Sequence, residues 1–204
     1  RPPRSTLFPY TTLFRSTVKG MDILNEVFAE AKKRISESKG YAEEEKEEIA
    51  KNVGLAGLKF LILSHKLHED FNYNPDQFLS LKGFSGPYIL YTLVRAKSII
   101  NNSNAQVTDI ITSLQISEKE RDLLIELVKF QTVIEDAAIT REPYKICQTL
   151  YSISKLYNDF YDSHPVLQAE SPQIKAFRLG LCKLTALYLE DGLYFLGIDS
   201  IERM

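Results

Sequence analysis

The chain has 204 residues, and 44% of them are hydrophobic, which is enough to bury the core of one domain or of a domain with an appendage. Its 27 acidic residues outnumber its 25 basic residues, and this balance excludes a general polyanion binder, so any contact with nucleic acid must come from a local surface. The best apolar run, Leu55–Leu63, is broken by Lys59, so no membrane-spanning helix is expected.

The first sixteen residues have an unusual pattern. The stretch "TLFPYTTLFRS", Thr6–Ser16, resembles the conceptual translation of a sequencing-library adapter, so we interpret residues 1–16 as a non-native, disordered segment that is not part of the fold. The alternative is an aromatic arm that pairs with a sheet edge, but nothing downstream predicts a sheet. Arg1, Arg4 and Arg15 fall in this segment, so the rest of the chain is more acidic than the whole.

A smaller helical unit is predicted over residues 17–82. Its first helix begins at Asp22 and ends near Gly40, and its second is "EEEKEEIAKNVGLAGLKFLIL", whose first-turn acids complement the helix dipole before the pattern becomes almost entirely apolar. The segment that follows contains Pro75 and several asparagines, which predicts a connector with one short helix over Pro75–Leu81.

A helix bundle is predicted over residues 83–204, which makes the fold class all-α. A capping box of Ser117 and Glu120, and an N-cap Ser171 followed by Pro172, mark two of the helix starts. The four predicted helices run over Pro87–Asn101, from Ser117 to about Ala138, from Pro143 onward, and from Ser171 to about Leu193.

One helix of the bundle carries a polar face. Tyr88, Tyr91, Arg95 and Ser98 follow a 3, 4, 3 spacing, which places them together, whereas Ile89, Leu93, Ala96 and Ile100 take another face. The spacing by itself favours a tyrosine and arginine seam that closes by hydrogen bonds onto a neighbouring helix or an interdomain surface.

The sequence predicts no catalytic or metal site. His65 and His68 are close in sequence, but a zinc site needs three or four ligands and His164 is the only other histidine, so we expect a solvated helix end. Glu135 and Asp136 are adjacent and therefore point to different faces, which makes them a poor acid and base pair. Cys147 and Cys182 lie in apolar helical patterns, which favours buried thiols in a reducing, cytoplasmic setting.

The stretch "GFSGPYILYTLVRAKSII", Gly83–Ile100, resembles the arginyl-tRNA synthetases, whose members carry Gly-x-Thr/Ser-Gly-Pro-Tyr followed by Tyr, Arg and Ser-Ile at these intervals. Two upstream stretches are also similar to that family. One is "VGLAGLKFLIL", which resembles a helix of the family, and the other is "FNYNPDQFLSLKG", which resembles a linker. Downstream, "KAFRLGLCKLTALYLEDGLYFLGI" resembles the helix that gives the DALR anticodon-binding domain its name, and "IERM" resembles the family's C-terminus. The resemblance covers about residues 17–204 and implies that residues 83–204 are a DALR anticodon-binding bundle.

The resemblance implies a monomeric tRNA ligase whose catalytic domain, which activates arginine with ATP and Mg, lies outside this chain. This chain would then be a C-terminal fragment that needs no cofactor of its own and does not adenylate arginine alone. The implied partners are arginine tRNA and the catalytic domain of the same protein.

Site residues follow from the resemblance only where the motifs match. Tyr161 and Met204 stand where family members pack against anticodon-loop bases, since an aromatic ring and a thioether both suit such contacts. Arg178 either contacts a phosphate or forms a salt bridge inside the bundle. Leu90 replaces a glutamine of many members and cannot make its hydrogen bond. The surface that meets the catalytic domain would be lined by Tyr88, Tyr91 and Arg95.

Two alternatives remain open at this stage. The chain could be a freestanding DALR-type module that binds tRNA or a protein without catalysis, which requires a native start near Met21. It could also derive from another synthetase with a DALR domain, such as the cysteinyl enzyme or the glycyl β-subunit, but neither accounts for the stretch from Gly83 to Arg95.

Overall fold

The computed structural model describes residues 20–36, 42–71, 73–103 and 114–204. These residues form seven helices and no strand, which confirms the all-α prediction. The expectation that residues 1–16 lack a packing partner lies outside the described part of the chain. The helices are α1 (Gly20–Ser36), α2 (Glu43–Leu63), α3 (Pro75–Phe78), α4 (Gly86–Asn101), α5 (Glu118–Thr140), α6 (Tyr144–Ser163) and α7 (Pro172–Phe195).

The predicted start signals act as local caps. Ser85 and Ser171 accept hydrogen bonds from backbone amides three residues on, and both capping-box bonds between Ser117 and Glu120 are present. At its other end, α5 stops at Arg141, which takes a left-handed backbone conformation with φ of 58°. Short-range chemistry therefore fixes where α4, α5 and α7 begin, whereas α6 begins after Pro143 without a side-chain cap.

The short helix α3 ends at Phe78 rather than at the predicted Leu81. Phe78 and Leu79 are both buried, so the chain turns inward at this point instead of continuing a surface helix. A Cβ on Gly57 of α2 would lie 2.8 Å from the carbonyl oxygen of Phe78, so glycine is what allows this close approach.

Two hydrophobic cores share the helix α2. The larger core joins α2 to α4, α5, α6 and α7, and the smaller one joins α1, α2 and α3. Phe60 of α2 lies in the larger core and Ala50 in the smaller. A Cβ on Gly86 would clash with the carbonyl of Ala56, so α4 begins in direct contact with α2. The sequence predicts a boundary between residues 82 and 83. The helix α2 precedes this boundary, but it packs against helices from both sides of it.

Both cysteines are buried and free, as the apolar patterns predicted. Burial raises the pKa of the Cys147 thiol to about 12 and that of Cys182 to about 11, so both are neutral at ordinary pH. None of the described helices combines the length and the apolar composition needed to cross a bilayer.

Candidate nucleic-acid interface

The tyrosine and arginine face of α4 lies against α6. Nη1 of Arg95 donates to Oδ1 of Asn158 at 2.8 Å, and the guanidinium lies 4.7 Å from the centre of the Tyr91 ring. Nη2 of Arg95 also donates to the hydroxyl of Tyr91. The seam that the spacing predicted therefore closes onto a neighbouring helix. The use of Tyr88, Tyr91 and Arg95 as an interdomain surface stays a prediction.

Asn158 is the centre of this seam, and the sequence patterns did not single it out. Its Nδ2 donates to the hydroxyl of Tyr88 at 3.0 Å and to Oγ1 of Thr92 at 2.9 Å. Both ends of the amide thus have partners on α4. Burial raises the pKa of Tyr88, against a smaller opposing contribution from the Asn158 hydrogen bond. Asparagine is a poor residue for a helix interior, and this was the signal that could have revealed it.

Tyr161 lies at the end of α6, where the seam reaches the surface. The guanidinium of Arg95 lies 4.8 Å from the centre of its ring, and 37% of the residue is exposed. Beside the ring is a surface cavity of about 460 Å³, within the size range of small-molecule sites. We call it the Tyr161 cavity, and its lining residues are Ile99, Tyr161, Asp162, His164, Pro165, Val166, Leu167 and Gln168.

Charges of both signs surround the Tyr161 cavity. Oδ1 of Asp162 lies 3.7 Å from Nη1 of Arg95, and Nζ of Lys119 donates to the hydroxyl of Ser163. An RNA phosphate near this site would meet two cations but also the exposed Asp162. Attraction by charge is therefore modest here, and the exposed aromatic ring is the feature best suited to an unpaired base.

Arg178 lies inside the bundle and not at its surface. Only 5% of the residue is exposed, and its Nε donates to Oε1 of Glu120 at 2.7 Å. Nη1 donates to the carbonyl of Pro165 at 2.8 Å and lies 3.3 Å from the exposed carboxylate of Glu170. Of the two alternatives from the sequence, the structure shows the buried salt bridge.

Glu120 has two tasks at the same time. One carboxylate oxygen accepts from Arg178, and the other accepts from the backbone amide of Ser117 at 2.7 Å. Burial alone would raise the pKa of Glu120, but the hydrogen bonds from Arg178 and Ser117 and the charge of Arg178 bring it below the usual value. The capping box was readable in the sequence, whereas the partner from α7 was not.

Met204 does not line the Tyr161 cavity. It is half-buried against the larger core and lines a separate cavity of about 330 Å³, which α1, α2 and residues 79–82 complete. Lys97 of α4 forms an ion pair with Glu202, two residues before Met204, with Nζ and Oε1 at 2.9 Å. The structure thus does not bring the two predicted base contacts, Tyr161 and Met204, into one cavity.

The structure also shows the surroundings of Leu90 and His65, which the sequence singled out. Leu90 is fully buried in the larger core, so it faces no ligand site among the described residues. Nδ1 of His65 lies 2.7 Å from the carbonyl of Leu61, at the end of α2. Within the described ranges, no group of three or more His, Cys, Asp or Glu side chains could hold a metal ion.

A family model, the DALR anticodon binding domain, matches residues 89–204. The chain belongs to the DALR anticodon-binding domain family. The match begins inside α4, so α1, α2 and α3 lie outside the DALR region, while α5, α6 and α7 lie within it. The Tyr161 cavity and the Arg178 salt bridge are therefore both features of the DALR bundle.

Similar proteins include arginine–tRNA ligases. The ligase of Vibrio campbellii is 32% identical over 198 residues, which cover 96% of this DALR-family chain and 34% of the relative, and the ligase of Psychromonas ingrahamii is 33% identical with the same coverage. The solved arginyl-tRNA synthetase of Thermus thermophilus is similar with a TM-score of 0.84 and 27% identity, over 92% of this chain and 32% of that one. The chain thus spans about a third of the length of these relatives.

Proposed function

We propose that this chain binds the anticodon arm of arginine tRNA as the RNA-binding part of an arginine–tRNA ligase. The observation that carries the proposal is the exposed Tyr161 ring beside an open cavity, in a bundle of the anticodon-binding family. Relatives that are 32 to 33% identical over 96% of the chain carry the name arginine–tRNA ligase, and this supports the choice of tRNA.

The proposed contact is stacking of an unpaired base against Tyr161. A base stacked on an aromatic side chain contributes about 1–3 kcal/mol to binding. Arg95 lies against the same ring and also bonds Asn158, so the ring is held by α4 before the RNA arrives. A ring that is already ordered loses less side-chain entropy on binding, which favours affinity.

Other parts of the surface belong to the same proposal. Met204 would make a second contact with the anticodon loop, because its flexible thioether can adapt to a base. Tyr88 and Tyr91 would lie near the catalytic domain of the ligase. Arg178 is not proposed as a direct phosphate contact, because its guanidinium is buried. Its role in the proposal is that of a residue inside the bundle.

The whole protein, in this proposal, is a cytoplasmic monomer that attaches arginine to its tRNA with ATP and Mg. The chemistry would belong to a catalytic domain outside this chain, because this chain spans only about a third of its ligase relatives. The chain alone would bind tRNA without charging it.

Binding to tRNA transcripts tests the proposal. Fluorescence anisotropy would measure the affinity of the full chain for arginine tRNA and for tRNAs of other amino acids, at several salt concentrations. We expect tighter binding to arginine tRNA and an affinity that falls as salt rises. Replacing Tyr161 with Ala should weaken binding by about 1–3 kcal/mol, which is roughly 5- to 150-fold.

Two variants serve as controls for this change. Tyr161→Phe keeps the ring and should keep most of the affinity. Tyr194→Ala removes a tyrosine that is 78% exposed at the end of α7, outside the Tyr161 cavity, and should leave the affinity unchanged. Equal binding to every tRNA, or an unchanged affinity in Tyr161→Ala, would contradict the proposal.

A further inference from the structure

We infer that Arg178 is a positioning residue that holds one wall of the Tyr161 cavity and thereby sets discrimination between anticodons. That wall is the segment of residues 164–171, which joins α6 to α7 and contributes five of the residues that line the cavity. The discrimination part of the inference rests on the proposed function, whereas the positioning part can be measured without RNA.

Arg178 contacts the wall at two points, through a direct hydrogen bond to Pro165 and through an ion pair with the exposed Glu170. Nη1 of Arg178 donates to the carbonyl oxygen of Pro165 at 2.8 Å. Proline has no backbone N–H, so its carbonyl is the only main-chain group through which Pro165 can be held by hydrogen bonding. The next residue, Val166, is buried in the larger core, while Leu167 beside it is exposed in the cavity. A shift at Pro165 would therefore move the exposed part of the wall.

Arg178 is itself held on its other side. Its Nε donates to Glu120, and Glu120 is fixed by the backbone amide of Ser117 at the start of α5. A continuous series of bonds thus runs from the α5 cap through α7 to the cavity wall. Nε of the planar guanidinium serves Glu120 and Nη1 serves Pro165, and the single ammonium of lysine does not offer this forked geometry.

A buried ion pair by itself is weak evidence for a role in stability, because neutral or apolar pairs of similar size are often as stable. The ion pair with Glu120 could thus be replaced without loss of the fold. The bond to Pro165 differs, because no neutral apolar side chain supplies its donor. This difference separates a positioning role from a merely structural one.

The test compares the wild-type chain with the double variant Arg178→Met/Glu120→Gln. The variant removes both buried charges, and glutamine keeps an acceptor for the Ser117 amide, so the melting temperature should stay near that of the wild type. We expect amide exchange, followed by mass spectrometry, to rise at least tenfold in residues 166–169 and to change little in the core of α6. The ratio of affinities for arginine tRNA and for the same tRNA with a changed anticodon should fall at least fivefold.

Two further variants sharpen the comparison. Arg178→Lys keeps the charge beside Glu120 but loses the fork, and it should show the same faster exchange in the wall. Lys145→Met removes an ion pair with Asp136 at the opposite end of α6, and it should change neither the exchange of the wall nor the affinity ratio.

Unchanged exchange in residues 166–169 of the double variant would overturn the positioning role. Faster exchange with an unchanged affinity ratio would overturn the link to discrimination. If the wild-type chain binds all tRNAs equally, the proposed function fails and discrimination fails with it, while the exchange result still decides whether Arg178 holds the wall.

Discussion

Arg95 and Arg178 both join helices that are far apart in sequence, but their surroundings are opposite. Arg95 is half-buried near the surface and uses a neutral amide and two aromatic rings as its main partners. Arg178 is buried and has a buried carboxylate as its partner. A cation that still touches water can be held by neutral groups, whereas a cation removed from water requires a counter-charge and full hydrogen bonding.

The two arginines therefore respond differently to change. Loss of a partner at Arg178 leaves a charge without compensation inside the bundle, while loss of a partner at Arg95 can be relieved by water. Acid should break the salt bridge between Arg178 and Glu120, because protonation removes the charge of the carboxylate. Alkali should weaken the Arg95 seam, because the seam includes the hydroxyl of Tyr88.

The largest expected effect is that of Arg178→Met alone. This change leaves Glu120 buried and charged without its partner, which should lower the free energy of unfolding by about 3–5 kcal/mol. Urea unfolding at pH 7 would measure the loss, and addition of Glu120→Gln should recover much of it. A loss below about 1 kcal/mol in the single variant would show that water reaches the pair.

Asn158→Ala should have the next largest effect. The variant loses three side-chain hydrogen bonds, to Arg95, Tyr88 and Thr92, so the expected loss of stability is about 1–3 kcal/mol. Asn102→Ala, at the exposed end of α4, is the matched control and should lie within about 0.5 kcal/mol of the wild type. Equal melting temperatures for the two variants would contradict the view that the hydrogen bonds of Asn158 stabilise the seam between α4 and α6.

Acid should weaken the salt bridge between Arg178 and Glu120. The pKa of Glu120 is lower in the folded chain than in the unfolded chain, so its contribution is present above the unfolded value of about 4.3 and is lost as the pH falls through the folded value. Between pH 5 and pH 3, Glu120→Gln should flatten the stability curve by at most about 1.4 kcal/mol per pH unit. A wild-type slope as flat as that of Glu120→Gln would refute the assignment.

Alkali should give the smallest effect, at the Arg95 seam. Burial raises the pKa of Tyr88 in the folded chain, so its contribution is present below the unfolded value of about 10 and is lost as the pH rises through the folded value. Tyr88 is only half-buried, so the effect should stay below roughly 1 kcal/mol per pH unit. Between pH 9 and pH 11, the melting temperature should fall less steeply with pH in Tyr88→Phe than in the wild type. The buried thiols contribute equally to both chains.

The same contrast explains which parts of the site the sequence predicted. The tyrosine and arginine face of α4 followed from its 3, 4, 3 spacing, because residues on one turn of a helix are neighbours whatever the fold. Asn158 was missed, because its partners lie on α4, and Arg95 is 63 positions away. The roles of Tyr161 and Met204 came from the resemblance and stay predictions, and the structure places the two in separate cavities.

The sequence by itself determined the all-α class and the capped starts of α4, α5 and α7, because apolar periodicity and N-cap chemistry act over a few residues. Only the tertiary structure decided that Arg178 reaches both Glu120, 58 positions away, and the carbonyl of Pro165. It also decided that α2 belongs to both cores. Such contacts depend on how the helices pack, and the pattern within one helix does not specify which residue of another helix it meets.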